Sequence, residues 1–173
     1  MGRISFEDVY SIYLEGGREA VRSLSVHDDR FIPTSSGVYI VRPPKDYQIE
    51  FVKNPDGTRS VDGKPLPNEF DYVQKKYTEL VDKDADLSVL YYGRATNLRN
   101  RIKQYAKFGY AYKNRNGRPF EEHAGGKLIW YIKNNKHLII EFYEIKDFKR
   151  EEERLIREYY QQYGEFPLAN ERF

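Results

Sequence analysis

Gly37-Val38-Tyr39-Ile40-Val41 and Leu87-Ser88-Val89-Leu90-Tyr91-Tyr92-Gly93 decide how this chain is read. Each is a short run rich in β-branched, aromatic and aliphatic residues with a glycine at one end, the composition of a pleated, half-buried strand. The first follows the turn Ser35-Ser36-Gly37 and is stopped by Pro43-Pro44. The second is ended by Gly93. They predict two strands, and they carry the paired signatures Gly37-Val38-Tyr39 and Tyr91-Tyr92-Gly93.

Working outward, the continuous apolar start of Leu138 to Ile145 predicts a third strand, buried at the centre of a sheet. Asn97 reads as the N-cap of a helix through about Lys107, with Leu98, Ile102 and Tyr105 on its apolar face. Glu151 to Tyr163 reads as a second helix, stopped by Gly164 with Pro167 beyond it. Gly125-Gly126 opens a helical turn carrying Ile129, Trp130 and Ile132.

Residues 5 to 24 have helical spacing broken at Gly16-Gly17, so positions 1–34 are expected to form a helical N-terminal extension. The main domain then spans 35–173, with an insertion at 42–88. Within the insertion, Gln48 to Lys53 and Thr58 to Val61 flank the turn Asn54-Pro55-Asp56-Gly57 and suggest a hairpin, and Glu69 to Val81 suggests a short helix. The expected fold is therefore mixed α/β (α+β): a small, mainly antiparallel, three-stranded central sheet flanked by helices, with an inserted hairpin and helix region.

Composition narrows the chemistry. The 173 residues contain no cysteine, which excludes disulfides, thiol nucleophiles, thiolate zinc sites and iron–sulfur clusters. A metal would have to be held by oxygen or imidazole, which favours magnesium or manganese. No apolar stretch approaches the roughly 18–20 residues of a membrane span, and Glu7, Asp8 and Glu15 spoil any signal-peptide pattern, so a cytoplasmic protein without membrane contact is expected.

The net charge of +2 conceals a segregation. Positions 94 to 136 hold eleven basic residues against Glu121 and Glu122, a local balance of +9, and the rest of the chain carries −7. Tyr105, Phe108, Tyr110, Tyr112 and Phe120 are interleaved with these charges. A localised basic face with aromatic rings suits a nucleic acid better than a small substrate.

The residues around the two signatures complete a pattern. Asn97-Leu98 follow Tyr91-Tyr92-Gly93, Arg101 lies eight residues beyond the glycine, and Tyr105 one turn further. Glu152 precedes the apolar pair Leu155-Ile156 by three and four residues, and Pro167 to Asn170 closes the set. Together these resemble the GIY-YIG nuclease family, and Tyr105 is similar to the residue of the excision-repair branch, where many other members carry histidine. The segment His123 to Lys127 with Ile129-Trp130 resembles small stand-alone members. Val38 and Tyr92 replace the two isoleucines of the family signature, and the insertion is longer than usual.

The resemblance implies a divalent-metal-dependent endonuclease acting on DNA, of restriction, repair or mobile-element type. A restriction-type enzyme would act as a homodimer, because one active site cuts one strand. The alternative is a GIY-YIG-fold nucleic-acid-binding module without catalysis. By the same resemblance Glu152 would ligate Mg2+ or Mn2+, Arg101 would clamp the phosphate with its planar donor fork, Tyr39 would act as general base, and Tyr91 would orient the water. Arg94, Asn97, Lys113, Arg115, His123 and Lys127 are candidate substrate contacts. Tyr105 either bonds a phosphate or anchors its helix.

Overall fold

The computed structural model describes residues 1–52, 60–61, 64–65, 69–109 and 126–173. In chain order the elements are β1 (Gly2–Ser5), a helical turn α1 (Phe6–Asp8) running into a π-helical stretch at Val9–Glu15, α2 (Gly17–Ser23) and β2 (Gly37–Arg42). The short strands β3 (Ser60–Val61) and β4 (Lys64–Pro65) precede α3 (Glu69–Asp82), β5 (Tyr91–Ala95) and α4 (Leu98–Gly109). Tight turns at Lys127–Tyr131 and Asn135–His137 lead to β6 (Ile139–Glu144) and α5 (Phe148–Tyr163).

The main sheet has four antiparallel strands in the order β1-β6-β2-β5, one more than the sequence suggests. The extra strand comes from the segment expected to be helical. Gly2 to Ser5 is too short to display a period, and only Ile4 of the four is buried, so its sequence signal is faint. Phe6, Val9 and Tyr13 follow it into the core, so the N-terminal segment is integral to the sheet and its packing. No helix among the described residues is long and apolar enough to cross a membrane.

β5 also differs from expectation: it starts at Tyr91, and Gly93 lies inside it. The register explains this, because Tyr39 of β2 stands opposite Gly93. A Cβ on Gly93 would lie 2.3 Å from the Tyr39 ring, which is itself wholly buried. The glycine is thus a seat for an aromatic side chain rather than a strand terminator. Gly93→Ala forces that ring or the strand to move, and overpacking of this kind costs about 1–3 kcal/mol. A lower urea midpoint at unchanged slope is the expected result; wild-type stability would remove the steric argument.

The hairpin expected around residues 54–57 has its turn outside the described residues, and its flanks pair elsewhere. Phe51 forms an antiparallel bridge with Ile132, supported by the amide of Val52 on the Tyr131 carbonyl at 2.8 Å and that of Lys133 on the Glu50 carbonyl at 2.8 Å. β3 pairs instead with β4, Val61 opposite Lys64. The helix expected from residue 69 is α3.

β5 lies at one edge of the sheet, and the chain after α5 returns to cover it. The amide of Ala169 donates to the Leu90 carbonyl at 2.8 Å. The buried side chain of Asn170 accepts from the Tyr92 amide at 2.9 Å and donates to the Tyr92 carbonyl at 3.0 Å. An asparagine side chain thereby stands in for a fifth strand at this position and satisfies an otherwise exposed edge.

Lys76 of α3 donates to the carbonyls of Pro167 (3.0 Å) and Asn170, fastening the insertion helix to this closing segment. Burial lowers the pKa of its ammonium from 10.5 to about 8. Above pH 8 the folded chain has released this proton while the unfolded chain still holds it, so stability rises with pH. The window closes near pH 10, where unfolded tyrosines begin to ionise and the buried ones, whose pKa values are raised, do not. Between pH 8 and 9, before the unfolded tyrosines ionise appreciably, Lys76 is expected to add about 1 kcal/mol to the unfolding free energy. Lys76→Met is expected to flatten that slope in urea titrations at the two pH values.

Candidate active site

β5, the first turns of α4 and α5, the bend at Gly126-Lys127 and residues 169–173 enclose a cleft of about 1020 Å³. Local sequence explains how each element delivers its side chain. The Asn97 side chain accepts the Asn100 amide at 3.0 Å, the N-cap bond that starts α4, and Arg101 follows one turn later on the cleft side. Arg94 directly follows Gly93 in β5, so it occupies the opposite face of the pleat from the Tyr39 seat. Glu152 sits near the start of α5, beside Lys149 and above Ile156.

Tyr91, Arg94, Asn97, Arg101, Lys127 and Glu152 all line this cleft although they are spread over positions 91 to 152. Arg94 pairs with Glu152 at 3.1 Å and reaches Glu153 at 3.7 Å. Lys127 pairs with Glu69 at 2.8 Å, and the Tyr131 hydroxyl donates to the other oxygen of the same carboxylate at 2.7 Å, so the start of α3 is tied to the cleft wall. Burial raises the pKa of the Glu152 carboxyl, and Arg94 opposes the rise.

The two signature tyrosines occupy different depths. Tyr91 lines the cleft, whereas Tyr39 is wholly buried behind it, with ring centroids 6.0 Å apart. The Tyr39 hydroxyl hydrogen-bonds with Tyr91 and with the Arg101 guanidinium, which donates. Burial, helped by Tyr91, pushes the Tyr39 phenol well above its usual pKa, and burial together with the Glu152 charge pushes Tyr91 up to about 12. Arg101 pulls both values back down and does the same for Glu152.

Tyr105 does not reach the cleft. It is fully buried, and its hydroxyl donates to the Gly126 carbonyl at 2.6 Å, so it anchors α4 to the bend instead of presenting a phosphate contact. Eight helical residues rotate by about 80° beyond two whole turns, which carries Tyr105 from the edge that holds Asn97 toward the core. Gly126 has a left-handed φ of 77°, and a Cβ there would lie 2.3 Å from the Tyr105 hydroxyl. Lys113, Arg115 and His123 lie outside the described residues.

Sequence reading missed Asn100, Gln104, Lys149 and Arg172, which also line the cleft. Asn100 and Gln104 follow Asn97 at +3 and +7, a helical edge legible in principle. Lys149 and Arg172 become neighbours of the site only through the fold.

Among the described residues no group of three or more His, Cys, Asp or Glu side chains is placed to hold a metal. Glu152 and Glu171 both line the cleft, and magnesium keeps most of its waters and takes only one or two protein carboxylates. Glu152, 13% exposed at its side chain, fits that role, with Arg94 as the cation it now neutralises. No protein-family model matches the chain, and no curated protein or solved structure shows significant similarity to it.

Proposed function

We propose that this chain is a GIY-YIG-type endonuclease that hydrolyses DNA phosphodiester bonds with a divalent metal ion, Mg2+ or Mn2+. The observation that carries the reading is convergence: Tyr91, Arg94, Arg101 and Glu152, picked from distant parts of the sequence, share one cleft. Cations outnumber carboxylates on its walls, and the N-terminal ends of α4 and α5 both open onto it, which favours a bound phosphate.

Glu152 would hold the ion, which when bound would supply a charge that lowers the pKa of water and offsets negative charge on the phosphoryl group. Arg101 donates to the phosphoryl oxygens as their charge grows, and its second partner, Tyr39, fixes the plane of the guanidinium. Tyr91 is the phenol that meets the attacking water, since Tyr39 is closed off from the cleft. The roles expected of the two tyrosines are therefore exchanged: Tyr39 orients Tyr91 and Arg101, and Tyr91 accepts the hydrogen bond from the water. A phenol with a pKa near 12 is neutral at pH 7, so Tyr91 takes a proton only when the cations around it are in place.

Incubation with supercoiled plasmid and Mg2+ or Mn2+ tests the assignment. Nicked or linear product that disappears with chelator is expected, and sequencing of the ends separates discrete sites from dispersed nicks. DNA binding without cleavage in either metal would leave a binding module and overturn the enzyme.

A further inference from the structure

The cleft does not stop at the charged residues. Part of its wall is formed by Glu171, Arg172 and Phe173, and Phe173 belongs to a cluster of rings that remains open to solvent. Its centroid lies 5.0 Å from Phe166 and 5.5 Å from Tyr160, while Tyr160 and Phe166 lie 4.8 Å apart. The Arg157 guanidinium sits 4.8 Å from the Phe173 centroid. Phe173 is 48% exposed and Tyr160 39%.

Phe173 lines the cationic cleft and, with Tyr160 beside it, stays exposed, which is unusual for a folding role alone because burying these rings would stabilise the chain more. Their surroundings select the occupant. A planar ring backed by two further rings and an arginine matches the π-face of a nucleobase, and Arg172 beside it matches the phosphate on the same strand. A base paired inside a duplex has its faces covered by its neighbours, so only an unpaired base is free to stack here.

Resting on the nuclease reading above, we infer that the Phe173, Phe166 and Tyr160 shelf binds an unpaired base of the DNA, so that the substrate class is duplex DNA carrying a flap, bulge or other unpaired nucleotide. Helix α5 sets the distance. Tyr160 follows Glu152 by eight residues on this helix, which places it about 12 Å further along the axis. At about 3.4 Å per nucleotide, the stacked base lies roughly three to four nucleotides from the cut.

The test is fluorescence anisotropy in EDTA with two labelled oligonucleotides, a blunt duplex and the same duplex with a four-nucleotide single-stranded flap. The wild-type chain is expected to bind the flapped DNA about tenfold more tightly, the order of one base–aromatic stack. Phe173→Ala is expected to bring the affinity ratio to about one, and Phe173→Trp, which keeps a stacking face, to preserve it, with circular dichroism confirming the fold of both. A wild-type ratio of one, or a ratio unaffected by Phe173→Ala, overturns the shelf while leaving the nuclease reading intact. Failure to bind either DNA overturns both.

Discussion

Glu152→Ala is expected to reduce metal-dependent cleavage to background, by more than the roughly 10–100-fold that loss of a partner behind a metal ligand costs. Glu152 lines the cleft with its side chain largely buried, and it lies against Arg94 and within the field of Arg101. Removing it deletes the anchor for the ion and frees Arg94 for phosphate, so DNA affinity should hold or rise. The fold is expected to survive, because burial already disfavours the charged carboxylate.

The two neighbouring glutamates provide the contrast. Glu151 accepts from the Tyr143 hydroxyl at 2.7 Å and pairs with Arg154 at 2.8 Å, contacts that hold its carboxyl down at about 2. Glu151→Ala should therefore lower stability and spare cleavage. Glu153, at 3.7 Å from Arg94 and mostly exposed, should tolerate alanine in both assays. Rates measured at saturating metal on purified, folded variants decide the matter, and a Glu152→Ala protein cutting at the wild-type rate would remove Glu152 from the mechanism.

Local signals carried far in this chain, and relations between strands did not. Asn97 caps α4 as its side-chain chemistry predicts, α5 ends at Gly164, and the apolar run after residue 138 becomes the internal strand β6. Each of these is written within one turn or one strand. The depth of Tyr39 is not, because it depends on the register that sets Tyr39 opposite Gly93, and the long insertion between the two strands hides that pairing. β1 escaped notice for want of length, and the bridge of Phe51 to Ile132, 81 positions away, has no local signal to announce it. Asn170 is a similar case: its amide substitutes for a strand only after the chain has returned to the edge of β5.

Arg101→Ala is expected to slow single-turnover cleavage by about 10²–10³-fold, the usual loss when one donor to developing charge is removed. Arg101 is the common neighbour of the site, hydrogen-bonded to Tyr39 and acting electrostatically on Tyr91 and Glu152. Its loss withdraws the guanidinium from the phosphate and lets the Tyr91 pKa climb further from neutrality, and both changes act on the chemical step. Arg101→Lys retains charge without the planar fork, so it should recover only part of the rate. Lys149→Ala and Arg172→Ala, whose side chains line the same cleft, should instead weaken binding and reduce the salt dependence by roughly one log–log unit per lost phosphate contact. The discriminating measurement is the rate at enzyme concentrations that saturate the DNA. Saturation should restore the Lys149 and Arg172 variants to wild-type turnover and leave Arg101→Ala slow; if it restores Arg101→Ala as well, Arg101 only attracts the substrate, and its catalytic assignment fails.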